Sequence, residues 1–230
     1  VFASWGALFV TLPSPFQIPF QILLAMLGGA LWALLVGVLK TRLGVHEIFG
    51  GVALNALANL VTIYLVTGPW SPGGSSKQAT DPFGAHAVLP PFSSEFPVNL
   101  FMLFLVALAF VIVFLILRGT SWGLQLKATG KNSRSALLLG VPTTRSAITA
   151  LMLCGAIAGI AGAHRAMFTY NALRTLSSGG IGFLALLVVL LVSARLAWVP
   201  FITFAFAAIL GGSTRLKIAL QLDQSLAGVI

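Results

Sequence analysis

The sequence predicts an all-α fold: a polytopic transmembrane helical bundle with six complete spans and partial helices at both ends. Three observations predict it. First, 58% of the residues are hydrophobic and only 7% are charged, whereas soluble domains are about one quarter charged. A mean hydropathy of +1.03 leaves too little polar side chain to cover a water-exposed surface. Second, apolar runs long enough to cross a bilayer recur along the chain. Third, the net charge of +9 comes from bases gathered in the segments between those runs, as membrane topology demands. This accounts for the basic balance without nucleic acid, and no RNA- or DNA-reading module is present.

A spanning helix needs roughly 17–25 mostly apolar residues. Residues 16–39 and 49–67 qualify, followed by 99–117, 146–163, 179–194 and 196–212, the later ones near the short limit. Residues 1–12 and 226–230 read as partial helices, so the chain 1–230 is expected to be a fragment of a single transmembrane domain. Pro13-Ser14-Pro15 separates the first partial helix from the first full span. Cys154 lies within an apolar run and reads as a small packing residue.

Charge sets the orientation. Lys40 and Arg42 mark one cytoplasmic loop. Residues 118–145 mark another: they hold Arg118, Lys127, Lys131, Arg134 and Arg145 and no acid. The segment 68–98 is long and rich in Gly, Pro and Ser, with Lys77 against Asp81 and Glu95, and is expected outside. Alternation then places 164–178 outside, Arg195 inside and 213–223 outside. Arg165, Arg174, Arg215 and Lys217 thereby fall on the outer side, against the usual bias. Re-entrant segments would produce such an exception.

Few residues can carry chemistry. Gly130-Lys131 suggests a phosphate loop, but Gln125 and Asn132 stand where that motif needs Gly and Ser or Thr. His46, His86 and His164 are scattered, with no metal-ligand or acid–base constellation around them. His46-Glu47 fits a helix N-terminus, where an acid is favourable. The chain is therefore not read as an enzyme. Gly155, Gly159 and Ala163 recur every four residues, with Gly162 beside them, and predict a close helix–helix approach. Gly28 and Gly29 read the same way. Asn55, Asn59 and Thr62 share one helical face. An unpartnered amide in hydrocarbon is costly, so the stripe must face protein or water. Ser177-Ser178-Gly179-Gly180 offers serine caps and a tight turn into the segment after it.

The segment from Gly119-Thr120-Ser121-Trp122-Gly123-Leu124 through Lys127-Ala128-Thr129-Gly130-Lys131-Asn132-Ser133-Arg134-Ser135-Ala136 to Leu139-Gly140-Val141 resembles a known cytoplasmic motif. It is similar to that of permease subunits from bacterial ABC importers of the branched-chain amino acid, ribose and nucleoside group. Gly44-Val45-His46-Glu47-Ile48 with Ala53-Leu54-Asn55 and Tyr64-Leu65-Val66-Thr67-Gly68-Pro69 resembles a second element, most typical of the simple-sugar and nucleoside branch. Gly180-Ile181-Gly182-Phe183 with Ala185-Leu186 and Arg195 resembles a third. His46, Gly51, Lys131, Ser133 and Ala194 depart from the usual residues at their positions.

The resemblance implies an ATP-driven importer of a small polar solute, nucleoside or simple sugar, working by alternating access. It implies as partners separate ABC ATPase subunits, a second permease subunit, identical or paralogous, and an extracytoplasmic substrate-binding protein, in a bacterial inner membrane. ATP would bind the partners; no cofactor is expected in this chain. Lys127, Lys131, Asn132, Ser133, Arg134 and Ala136 are the expected coupling residues, on a short helix over about 132–139 capped by Asn132 or Ser133. Asn55, Asn59, Thr62 and Phe183 are the expected substrate-path residues. The competing reading is an ion-coupled secondary transporter or channel. Membrane-embedded acids commonly mark such paths, and here Glu47, Asp81, Glu95 and Asp223 all fall in loops or at helix ends.

Overall fold

The computed structural model describes residues 1–71, 78–89, 99–192 and 196–220. Lys77, Glu95, Ala194, Arg195, Asp223 and residues 226–230 lie outside them. The described chain is helical apart from one isolated bridge, Ala79 to Arg174. In order, the helices are α1 (Phe2–Phe9), α2 (Ser14–Leu43), α3 (Glu47–Thr67), α4 (Leu100–Gly119), α5 (Ser121–Lys131), α6 (Ser133–Leu138), α7 (Thr143–His164), α8 (Ile181–Leu191) and α9 (Val199–Leu220). Two compact units divide it, one up to Ser177 and one from Ser178.

Among the described residues four helices are long and apolar enough to cross a membrane: those over Phe16–Leu43, Glu47–Thr67, Leu100–Gly119 and Thr143–Tyr170. Of the other two predicted spans, one shortens to α8, Ile181–Leu191, and the other lies on α9, whose apolar stretch covers Val199–Gly212. Eleven helical residues rise only about 16 Å, roughly half a hydrocarbon core. Six complete spans are thus not confirmed among the described residues. Hydropathy counted the apolar run and could not see where its helix begins. Gly179 and Gly180 take left-handed φ values of 54° and 76°, which costs glycine little, and helix α8 starts only after them. The expected serine cap is absent: Gly180 holds the N-cap position with no side-chain bond.

The first unit is organised around α2 and α7, its most extensive helix pair. Small residues allow the approach. A Cβ on Gly29 would lie 2.1 Å from the Gly155 carbonyl oxygen, and one on Gly159 would lie 2.1 Å from that of Ala25. This is the close packing the four-residue spacing predicts. Gly28 serves another purpose, since its missing side chain is replaced by the ring of Phe2. Gly162 faces open space. Cys154 is exposed on α7.

The far ends of α1, α2 and α7 bury Ala3, Ile22, Ala25, Ile160, Ala163 and Met167 together with Leu89 and Met102. Helix α7 continues into a π-helical turn, Arg165–Tyr170. The following loop pairs with residues 78–89: Thr80 N–H donates to Leu173 O, Phe83 N–H to Asn171 O, and Leu89 N–H to Met167 O. The two segments expected to share one side of the membrane therefore lie at one end of this unit.

Candidate functional site: a central cavity and a basic elbow

A cavity of about 460 Å³ lies within the first unit. Helix α2 contributes Gly28, Gly29, Trp32 and Ala33; α3 contributes Ala58, Val61 and Thr62; α7 contributes Gly155, Gly159 and Ala163. The glycine seam thus forms part of its wall. Its lining is mostly apolar, with Thr62, Ser177 and Trp32 supplying polar atoms. The Trp32 indole N–H is buried with no acceptor among the described residues, an arrangement that leaves a donor to satisfy.

The sequence-predicted polar stripe divides at this cavity. Thr62 is 8% exposed and faces it, but its hydroxyl donates to the Ala58 carbonyl oxygen at 2.7 Å. Asn59 is half-buried and Asn55 exposed, and neither lines the cavity. Two amides on a membrane-length helix are thus not part of the cavity lining to which Thr62 belongs. Phe183 is exposed at the first turn of α8, in the second unit.

The basic segment forms an elbow of two short helices between α4 and α7. Thr120 ends α4 and starts α5: its hydroxyl donates to Ile116 O at 2.7 Å and accepts from Gly123 N–H at 3.1 Å. Gly123 is required there, because a Cβ would meet Ile116 O at 2.4 Å. The Trp122 indole donates to the Thr149 hydroxyl on α7 at 3.2 Å, holding the elbow against that helix. Lys127 and Lys131 stand exposed on α5.

Asn132 then caps α6, its side-chain oxygen accepting from Ser135 N–H at 3.1 Å. This is the cap the sequence predicts for a short helix here. Ser133 and Arg134 are exposed, while Ala136 is 2% exposed and turned inward. Ala136 therefore seats the helix against the rest of the unit. The residues that sequence reasoning missed are Leu137, Leu138 and Leu139, exposed at 61%, 89% and 82%. Their signal was an uninterrupted leucine triplet inside a charged loop.

At the turn between α2 and α3, His46 caps α3 by accepting the Ile48 N–H on its Nδ1 at 3.3 Å. Glu47 sits in the first turn and pairs with Lys40 at 3.0 Å. His46 and Glu47 thus have structural partners. No group of three or more metal-ligating side chains occurs among the described residues.

The family described as branched-chain amino acid transport system / permease component matches residues 1–230. Three curated proteins illustrate the similarity. The glucose ABC transporter permease protein TsgB13 of Haloferax volcanii is 25% identical over 99% of this chain and 62% of its own. The guanosine ABC transporter permease protein NupP of Bacillus subtilis is 29% identical over 78% of this chain and 52% of its own. The nucleoside ABC transporter permease protein NupB of Lactococcus lactis subsp. cremoris is 24% identical over 82% and 54%. The chain thus spans between half and two thirds of the length of these relatives. No solved structure matches it.

Proposed function

The chain belongs to the family of permease components of branched-chain amino acid transport systems, and on that premise we propose that it is the membrane-spanning subunit of an ATP-driven importer. Its solute is a nucleoside or simple sugar, the class named for the three relatives. ATP is hydrolysed on separate ATPase subunits, an extracytoplasmic binding protein delivers the solute, and a second permease subunit completes the path. Its location is a prokaryotic cytoplasmic membrane, with residues 118–145 inside and 68–98 outside.

The α5–α6 elbow is the observation that carries this reading. A capped helix presents three exposed leucines beside exposed Lys131 and Arg134. Leucine exposed to this extent in a loop too basic to enter hydrocarbon marks a protein contact. Lys127, Lys131, Ser133 and Arg134 supply charge and polarity around it, Asn132 holds the helix, and Ala136 seats it. ATPase closure acting on this elbow reaches α7 through Trp122 and Thr149, and α7 forms the cavity wall opposite α3. Asn55 is exposed and Asn59 half-buried, and a second permease subunit or the solute satisfies their amides. Phe183 is assigned to the same path from the second unit.

Transport into proteoliposomes holding the full-length permease and its ATPases tests the proposal. Uptake of a nucleoside or sugar that requires ATP and ignores ion gradients is the expected result. Uptake driven by a sodium or proton gradient without ATP contradicts it and selects the secondary transporter. Asn55→Leu and Asn59→Leu, made separately, should each lower uptake by about tenfold while leaving assembly intact. Loss of assembly would instead make the stripe an interhelical hydrogen-bonding element.

A further inference from the structure

The cations at the far end of α7 run against the positive-inside bias, and the structure gives them a common focus. The π turn closes i to i+5, which brings Arg165 and Tyr170 together, and the guanidinium of Arg165 donates to the Tyr170 hydroxyl. Arg174, whose backbone bridges to Ala79, lies over the same ring. The guanidinium carbons of Arg165 and Arg174 lie 5.2 and 4.9 Å from the Tyr170 ring centre. Two like charges share one aromatic ring, and neither has an acidic partner among the described residues. The Arg165 Nε–H is buried without an acceptor there as well. Like charges held this close, with a donor unsatisfied, call for an oxyanion.

Depth in the membrane identifies which oxyanion is at hand. The helix from Thr143 to Tyr170 runs 28 residues, or roughly 40 Å at the α-helical rise. A bilayer with its headgroup regions measures about 40–45 Å. With Thr143 at one headgroup layer, beside the basic elbow, Arg165, Tyr170 and Arg174 stand at the opposite one, where lipid phosphates lie. Tyrosine is enriched at that level. We propose that Arg165, Tyr170 and Arg174 form a site for the phosphate of a phospholipid headgroup in the leaflet opposite the basic elbow.

Native mass spectrometry of the full-length protein, titrated with phosphatidylglycerol, diacylglycerol of the same acyl chains, or inorganic phosphate, tests this. Phosphatidylglycerol should bind, and Arg165→Gln with Arg174→Gln should weaken it by about 25-fold, roughly fivefold per cation. Arg174→Gln alone, at an exposed position, should give about fivefold and covers the case in which the double variant does not fold. Arg118→Gln, at the other end of the bilayer, should change nothing. Unchanged phosphatidylglycerol binding in the variants overturns the proposal. So does equal weakening of diacylglycerol, which would mean a damaged apolar groove. Displacement of the lipid by millimolar inorganic phosphate overturns it in favour of a soluble anion. Normal lipid binding with loss of co-purifying delivery protein overturns it in favour of a protein carboxylate. The site depends on α7 crossing the bilayer and not on ATP-driven transport, so either reading can fail alone.

Discussion

The α2–α7 seam and the α5–α6 elbow lie in the same unit and solve opposite problems. At the seam, Gly29, Gly155 and Gly159 give up side chains so that two backbones touch, and every contact is made within the chain. At the elbow, Leu137, Leu138 and Leu139 keep large side chains and leave them exposed, which in the proposed function is where an ATPase makes contact. Without a strong hydrophobic drive between helices in lipid, packing surfaces shrink to glycine. In the aqueous loop, exposed leucine is worth keeping only where a partner covers it. Residue size therefore separates what the chain holds together alone from what it offers.

Breaking the seam should give the largest effect. Gly159→Leu forces atoms against the Ala25 carbonyl and should destabilise the fold by about 3 kcal/mol, the upper range for overpacking. Gly162→Ala, three residues on and facing open space, should stay within about 0.5 kcal/mol. Thermal unfolding in detergent reads both, and equal losses would erase the distinction between the two glycines. The reverse pattern is expected at the elbow. Leu138→Glu should leave unfolding unchanged while weakening ATPase binding by about 30-fold, as at an interface hot spot. A smaller effect is expected from Asn132→Ala. Loss of the cap costs about 1 kcal/mol of local helix stability, seen as faster amide exchange over residues 133–138 and a few-fold drop in coupled ATPase activity.

Much of the first unit was legible in the sequence because its signals are local. Apolar length set α2, α3, α4 and α7 to within a few residues, the four-residue spacing set the seam, and Asn132 announced α6. What stayed hidden depends on tertiary placement. Gly28 has the composition of a packing glycine, yet only the fold reveals that Phe2 fills its place. Asn55, Asn59 and Thr62 share a helical face, but which part of that face borders a cavity depends on where α2 and α7 stand. Ala136 looks equivalent to its exposed neighbours until the helix is seated. The π turn has no periodicity of its own in sequence, so the meeting of Arg165 with Tyr170 could not be read. In α8, a run of suitable hydropathy concealed two left-handed glycines that delay the helix.

One measurement bears most directly on the claim that the elbow is the surface gripped by an ATPase. The full-length permease would be co-expressed with candidate ABC ATPases from its own operon and purified in mild detergent, beside a variant carrying Lys131→Glu, Arg134→Glu and Leu138→Glu. A stable complex with the wild type, lost in a variant that unfolds at the same temperature, is the predicted result. An equally stable complex with the variant would contradict the claim.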